Sequence, residues 1–156
     1  MNTITYHRVG HNDVQTLIDY RTAFSLELAG EHPLEIVDAL KIQMKNYFVK
    51  AISNNDCIAY LAKENSEIAG IGTIILREQP GNFKNPSGRV GYLMNMYTVP
   101  KFRRKGICTG ILNSLINEAR AIGITTFELH STKAGEAVYT SSGFELHNEP
   151  TFRKYF

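Results

Sequence analysis

The part of this chain that reads most clearly as chemistry is Tyr97-Thr98-Val99-Pro100-Lys101-Phe102-Arg103-Arg104-Lys105-Gly106-Ile107-Cys108-Thr109-Gly110. It runs as the end of a strand, a short basic turn closed by a glycine, and the start of an amphipathic helix. The first N–H groups of a helix have no intrahelical acceptor, and the helix dipole adds partial positive charge at that end. Together these make an anion site suited to a pyrophosphate. Gly106 and the small residues after it let phosphate oxygens approach the backbone, and Arg103, Arg104 and Lys105 add attraction and direct contacts. A capped helix behind a solvated basic turn is the competing reading of the same residues.

Other phosphate cradles fit less well. No G-x-x-x-x-G-K-[ST] string occurs, and Gly70-Ile71-Gly72 lacks the third glycine of a dinucleotide fingerprint and lies inside a strand pattern.

The elements that must position the turn follow from periodicity. Thr3 to Val9 alternates as a first strand, and Asn12 or Asp13 caps a helix carrying Val14, Leu17, Ile18 and Ala23. Gly30-Glu31-His32-Pro33 breaks it, and a second helix follows with Leu34, Val37, Leu40, Ile42, Met44 and Phe48 on one broad apolar side. Cys57 to Lys63 and Ile68 to Arg77 form a hairpin, and Gln79 to Gly88 is a loop. Arg89 to Thr98 is a third strand of this group, ended by Pro100. Ile107, Ile111, Leu112, Leu115, Ile116, Ala119 and Ile122 share one face of a helix stopped by Gly123. Ile124 to His130 reads as a strand, Ala134 to Ser142 as a short helix, and the chain from Phe144 onward as one or two closing strands. The class is α+β, or mixed α/β, built largely of hairpins.

Arg103-x-x-Gly106-x-Cys108, behind Met96-Tyr97-Thr98-Val99-Pro100, resembles the acyl-CoA signature [RQ]-x-x-G-x-[GA] of the GNAT N-acetyltransferase superfamily. Val138-Tyr139-Thr140-Ser141-Ser142-Gly143-Phe144 is similar to that family's L-Y-x-x-x-G-F, and Thr126-Phe127-Glu128-Leu129-His130 lies between the two in the family's order. The resemblance covers the second half of the chain, and the first half has a compatible order of elements. It implies a GNAT-like fold: a central, mostly antiparallel, twisted sheet with a splayed parallel strand pair and about four flanking helices.

The resemblance also implies roles. The backbone of Tyr97, Thr98 and Val99 would receive the pantetheine arm and thioester of acetyl-CoA, and Arg103 through Thr109 (Arg104, Lys105, Gly106, Ile107 and Cys108 between them) would wrap the pyrophosphate. Thr132 stands where the family often has an asparagine that contacts pantetheine. Tyr139 matches the tyrosine beside the CoA sulfur, where a phenol protonated at neutral pH can serve a leaving thiolate as general acid. An ordinary packing tyrosine on a short helix is the alternative for Tyr139. Cys108 departs from the pattern, which has Gly or Ala there; it reads as a tolerated small residue rather than a nucleophile.

No carboxylate occurs in Leu93-Met94-Asn95-Met96, where some members of the family place a glutamate as general base. Glu27, Glu31, His32, Asn95 and His130 are the candidate acceptor-side residues, with solvated helix-end charge as the competing reading for the first three. Histidine is the side chain whose ordinary titration range suits a proton acceptor near neutral pH. Glu27 and Glu31 point toward a cationic acceptor. His7, His11 and His147 show no metal-ligand spacing, so no metal is expected.

Bulk properties fit this reading. The 156 residues carry 17 Lys+Arg against 15 Asp+Glu, a net charge of +2 that offers no broad basic stripe for nucleic acid. The length suits one domain over residues 1–156. Two cysteines make no disulfide framework, no signal-peptide-like start is present, and the longest apolar run is too short to span a bilayer. The expectation is a cytoplasmic N-acetyltransferase, free of membrane and nucleic acid, that acetylates a small-molecule or peptide primary amine in a ternary complex; the resembled family often forms homodimers, and the sequence leaves the oligomeric state open. A catalytically inactive acyl-CoA-binding sensor or interaction module is the alternative.

Overall fold

Alternation and helical spacing build nine main elements: β1 (Ile4–Arg8), α1 (Val14–Ala29), α2 (Leu34–Ser53), β2 (Cys57–Glu64), β3 (Glu67–Glu78), β4 (Arg89–Thr98), α3 (Ile107–Ala121), β5 (Phe127–Leu129) and α4 (Glu136–Ser141). The computed structural model describes residues 3–156. Its strands form one sheet in the order β1-β2-β3-β4-β5, antiparallel except for the parallel β4–β5 pair. The fold is therefore α+β, with a mostly antiparallel sheet and helices on both faces.

Each face has its own core. Leu17 and Ile18 of α1 and Met44, Phe48 and Ala51 of α2 pack on one side against Ala59, Leu61, Ile71 and Ile75. On the other side α3 buries Ile107, Ile111, Leu112, Leu115 and Ala119 against Ile58, Ile74 and Leu93. Their three- and four-residue spacing is the apolar stripe of an amphipathic helix, and each large side chain so buried contributes about 1.5–3 kcal/mol. Close packing accounts for the Gly70-Ile71-Gly72 segment of β3. A Cβ on Gly70 would lie 2.8 Å from the Tyr97 carbonyl oxygen and 3.1 Å from Ile107, so glycine lets α3 sit tight on β3.

Two features of β4 shape the site. Its pairing with β5 covers Gly91↔Phe127, Tyr92↔Glu128 and Leu93↔Leu129, so the edge from Met94 to Thr98 has no strand neighbour on that side among the described residues. Its pairing with β3 shifts register between Ile71↔Tyr97 and Thr73↔Met94, a bulge at which Asn95 adopts φ 57°.

Three local expectations differ from the structure. Helix α2 does not bury one broad side: only the Met44–Phe48–Ala51 stripe is buried, whereas Leu34 is 73% and Ile42 65% exposed, Ile42 lying about 160° around the helix from Met44. The strand expected over Ile124 to His130 shortens to Phe127–Leu129, since β4 turns away beyond Leu93. No strand follows β5 among the described residues; Leu146, Phe152, Tyr155 and Phe156 stand exposed.

Candidate active site

The turn between β4 and α3 owes its shape to left-handed backbone at Arg104 (φ 65°) and Gly106 (φ 75°). Nothing lies within 4 Å of a Cβ built at Gly106, so backbone conformation rather than crowding calls for glycine there. Gly106 is the N-cap of α3, and the first helical bond in this turn runs from Gly110 N–H to the Gly106 carbonyl oxygen at 3.0 Å. The successive N–H groups from Arg104 to Thr109 donate to no acceptor among the described residues. Consecutive free amides at a helix start can receive an anion, which makes this segment a candidate cradle.

The basic side chains around the cradle have separate duties. Arg103 Nε donates to the Thr98 carbonyl oxygen at 2.9 Å, and its Nη2 donates to both carboxylate oxygens of Glu27 at 2.6 and 2.9 Å. Lys105 Nζ donates to Glu64 at 2.7 Å, and Lys101 Nζ to Glu67 at 2.8 and 2.9 Å. Arg103 and Lys105 thus fasten the turn to α1 and β2. Arg104 is exposed and has no carboxylate partner among the described residues, which leaves its charge for an anion.

The cradle continues backward into the unpaired edge of β4, where Tyr97, Thr98 and Val99 lie. The Tyr97 side chain is 8% exposed and stacks against Phe24 at 5.5 Å. Its phenol is held above the ordinary range by burial and by the Glu27 carboxylate beside it. The strand therefore offers its neighbour gap backbone groups, with this side chain anchored in the core beneath α1.

Across the gap, Thr132 caps a 3-10 turn at Lys133–Gly135 that leads into α4 and Tyr139. Tyr139 is half-buried and meets Phe144 edge-on, ring centroids 5.9 Å apart. Burial raises its pKa strongly, and the nearby Cys108 acts in the same direction. The phenol consequently keeps its proton well past neutrality, the state a general acid requires. Burial also pushes the Cys108 thiol up, which disfavours a thiolate nucleophile.

The acceptor-side candidates divide. Asn95 is 3% exposed; its Nδ2 donates to Thr73 Oγ1 at 3.3 Å, and its Oδ1 accepts from Arg21 Nη1. His130 follows the last β4–β5 pair, with Nδ1 2.7 Å from the Tyr92 hydroxyl and Nε2 3.2 Å from Thr151 Oγ1. Glu27 is bound to Arg103, Glu31 is exposed, and His32 Nδ1 lies 2.9 Å from the Gly30 carbonyl oxygen. Asn95 and His130 thus flank the point where β4 leaves β5, whereas Glu31 and His32 belong to the α1–α2 connection.

Arg21, Tyr47 and Tyr92 escape a sequence reading. Arg21 lines a cavity of about 250 Å³ with Gln43, Met44, Tyr47, Phe48 and Met94, beside the bulge. Its place there depends on Asn95, 74 residues away in sequence. Among the described residues no His/Cys/Asp/Glu group could hold a metal, and no helix is long and apolar enough to cross a membrane.

Comparison with known proteins agrees with this geometry. A sequence model described as "Acetyltransferase (GNAT) family" matches residues 19–144. A predicted acetyltransferase from Clostridium acetobutylicum, solved with acetyl-CoA, is 30% identical, with a TM-score of 0.88 over 97% of this chain and 96% of that one. A GCN5-related N-acetyltransferase from Ralstonia eutropha JMP134 is 18% identical, with a TM-score of 0.85 over 97% and 99% of the two chains. An aminoglycoside N-acetyltransferase solved with CoA shares the fold at 12% identity, TM-score 0.75, over 99% and 96%. A search of curated proteins gives no match. The chain belongs to the acetyltransferase (GNAT) family, as an acetyl-CoA-dependent N-acetyltransferase.

Proposed function

We propose that this protein transfers the acetyl group of acetyl-CoA directly to a primary amine of a small molecule or peptide, without an acyl-enzyme. The observation that carries the proposal is continuous: the β4 edge from Met94 to Thr98, without a strand partner among the described residues, runs into the amide cradle from Arg104 to Thr109, with Tyr139 close to Cys108 of that cradle. The free edge suits the amide-bearing pantetheine arm as an added strand, and the cradle suits the pyrophosphate. Cys108 is half-buried, with its backbone N–H among the cradle donors, so its side chain is compatible with the cradle.

Acetyl-CoA supplies a thioester whose carbonyl carbon forms a C–N bond with the acceptor amine as its C–S bond breaks. Tyr139 holds a proton at its hydroxyl oxygen for the departing sulfur, and its high pKa keeps that proton available across the neutral range. Arg103 orients the end of β4 through the Thr98 carbonyl oxygen. The proton lost by the amine passes to solvent or to His130 at the mouth of the gap. Residues 1–156 serve as one cytoplasmic catalytic domain, and the three-residue edge strand β5 with the exposed Phe152, Tyr155 and Phe156 supports a homodimer.

The test is a calorimetric titration with acetyl-CoA, CoA and NAD, followed by thiol release with an amine panel. Saturable binding of acetyl-CoA and CoA but not NAD, with amine-dependent thiol release, is expected. Binding without transfer to any amine would leave only a sensor role, and no binding at millimolar ligand would overturn the proposal.

A further inference from the structure

Arg21 stands on α1 with its guanidinium half-buried, lining the cavity beneath Met94. One of its donors is occupied by Asn95 Oδ1, and no carboxylate lies within ion-pair distance of it among the described residues. Burial pulls this guanidinium below its ordinary range, opposed by the electrostatic effect of Tyr47 and Tyr92. No fully buried polar side-chain atom lacks a hydrogen-bond partner among the described residues, so the remaining Arg21 donors are open to the cavity, where an anionic group would complete them.

A second cation adds to the same side. Arg77 lies flat over the Tyr92 ring, 3.7 Å from its centroid, and it too makes no ion pair among the described residues. Tyr47 feels both Arg21 and Arg77, along with Asp56, the one carboxylate that acts on it. The cavity therefore combines positive charge with aromatic and thioether walls, and it is lined by Met94, the residue after the last β4–β5 pair. The carboxylate read from sequence as a pointer to a cationic acceptor, Glu27, is taken by Arg103 on the cofactor side.

We infer that the acceptor amine carries an anionic group, a carboxylate or phosphate, which seats on the free donors of Arg21 in the cavity between α1, α2 and β4. This rests on the proposed acetyl transfer and names its substrate class. The planar guanidinium offers paired N–H donors that match either oxyanion, and Asn95 fixes its orientation. The volume of about 250 Å³ accommodates an acceptor of amino-acid size. Polyamines and other polycations meet like charge there.

The experiment supplies acetyl-CoA with matched amines: phenylalanine and phenethylamine, leucine and 3-methylbutylamine, methionine and 3-methylthiopropylamine, phosphoethanolamine and ethanolamine. Thiol release gives kcat and KM, and calorimetry on the CoA-loaded protein gives amine affinity. In at least one pair the member with the anion beside its amine is expected to lead by about tenfold or more in kcat/KM. Preference for carboxylated members identifies a carboxylate ligand, and preference for phosphoethanolamine a phosphate. Arg21→Gln is expected to abolish that preference through KM, Arg21→Lys to restore part of it, and acetyl-CoA affinity to stay unchanged in both. Equal or better use of the anion-free members by the unaltered protein overturns the inference, as does an equal loss for both members in Arg21→Gln. If no amine reacts, calorimetry decides: selective binding of the anionic members sustains the inference, and absence of binding overturns it. The parallel acetyl-CoA titration reports separately on the transfer reading.

Discussion

Arg103 and Glu27 join the phosphate turn to the first helix: Arg103 Nη2 lies 2.6 and 2.9 Å from the two Glu27 carboxylate oxygens, while its Nε holds the Thr98 carbonyl oxygen at 2.9 Å. One side chain thereby ties together the last residue of β4, the turn that follows and α1. Arg103 acts here by fixing the backbone at the end of β4 and in the turn that follows.

That arrangement predicts coupling without a large effect on stability. Both partners are substantially exposed, at 43% and 41%, so the ion pair is worth about 0.2–1 kcal/mol to folding. Arg103→Ala and Glu27→Ala are expected to weaken acetyl-CoA binding by similar, modest factors, and the double variant by less than their product. A double-mutant cycle on calorimetric affinities measures this; full additivity would show that the two residues act independently.

Tyr139→Phe is expected to lower kcat by about 10²–10⁴-fold while leaving acetyl-CoA affinity nearly intact. Because burial raises the Tyr139 pKa above the ordinary 10.0, the rate should show no alkaline fall from loss of this proton near pH 10. A pH–rate profile of the unaltered protein, with an acceptor that is already deprotonated there, checks the second point.

Gly106→Ala separates conformation from contact. A Cβ at this position meets no atom within 4 Å, so the folding cost is confined to the left-handed backbone, about 1–2 kcal/mol. Relaxing that backbone would redirect the cradle amides, and acetyl-CoA affinity is expected to fall about tenfold or more, since hydrogen bonds to charged groups are worth about 1.5–3 kcal/mol. Thermal melts and titrations on the same sample separate the two effects.

Cys57 predicts an alkaline limit on stability. Burial raises its thiol from 9.0 to about 12, so the unfolded chain loses the proton first as pH rises. Its contribution to stability is fully present below pH 9.0 and is lost progressively toward pH 12. Urea unfolding across that range should show the decline, and Cys57→Ala should have a shallower slope.

What the sequence makes legible is local. The Ile107–Ile111–Leu115 stripe, the Gly106 turn and the alternation of β4 are visible because neighbouring residues determine them. The cradle was readable from one contiguous segment for the same reason. Arg21 was not: it sits among polar residues of α1, and its role comes from Asn95 on a distant strand and from the end of the β4–β5 pairing. The Arg103–Glu27 pair is not legible for the same reason, since 76 residues separate the two. Helix α2 differs from its expectation because its apolar residues do not share one face: Ile42 lies about 160° around the helix from Met44 and is exposed.

The central claim, that acetyl-CoA lies along the free edge of β4 with its pyrophosphate on the start of α3, is tested most directly by amide NMR during titration with CoA. The account predicts that the largest shifts fall on Met94 to Thr98 and on Arg104 to Thr109, and that Gly106→Ala diminishes the second set. Saturable binding that leaves both sets unmoved, with shifts concentrated on other elements, would contradict it.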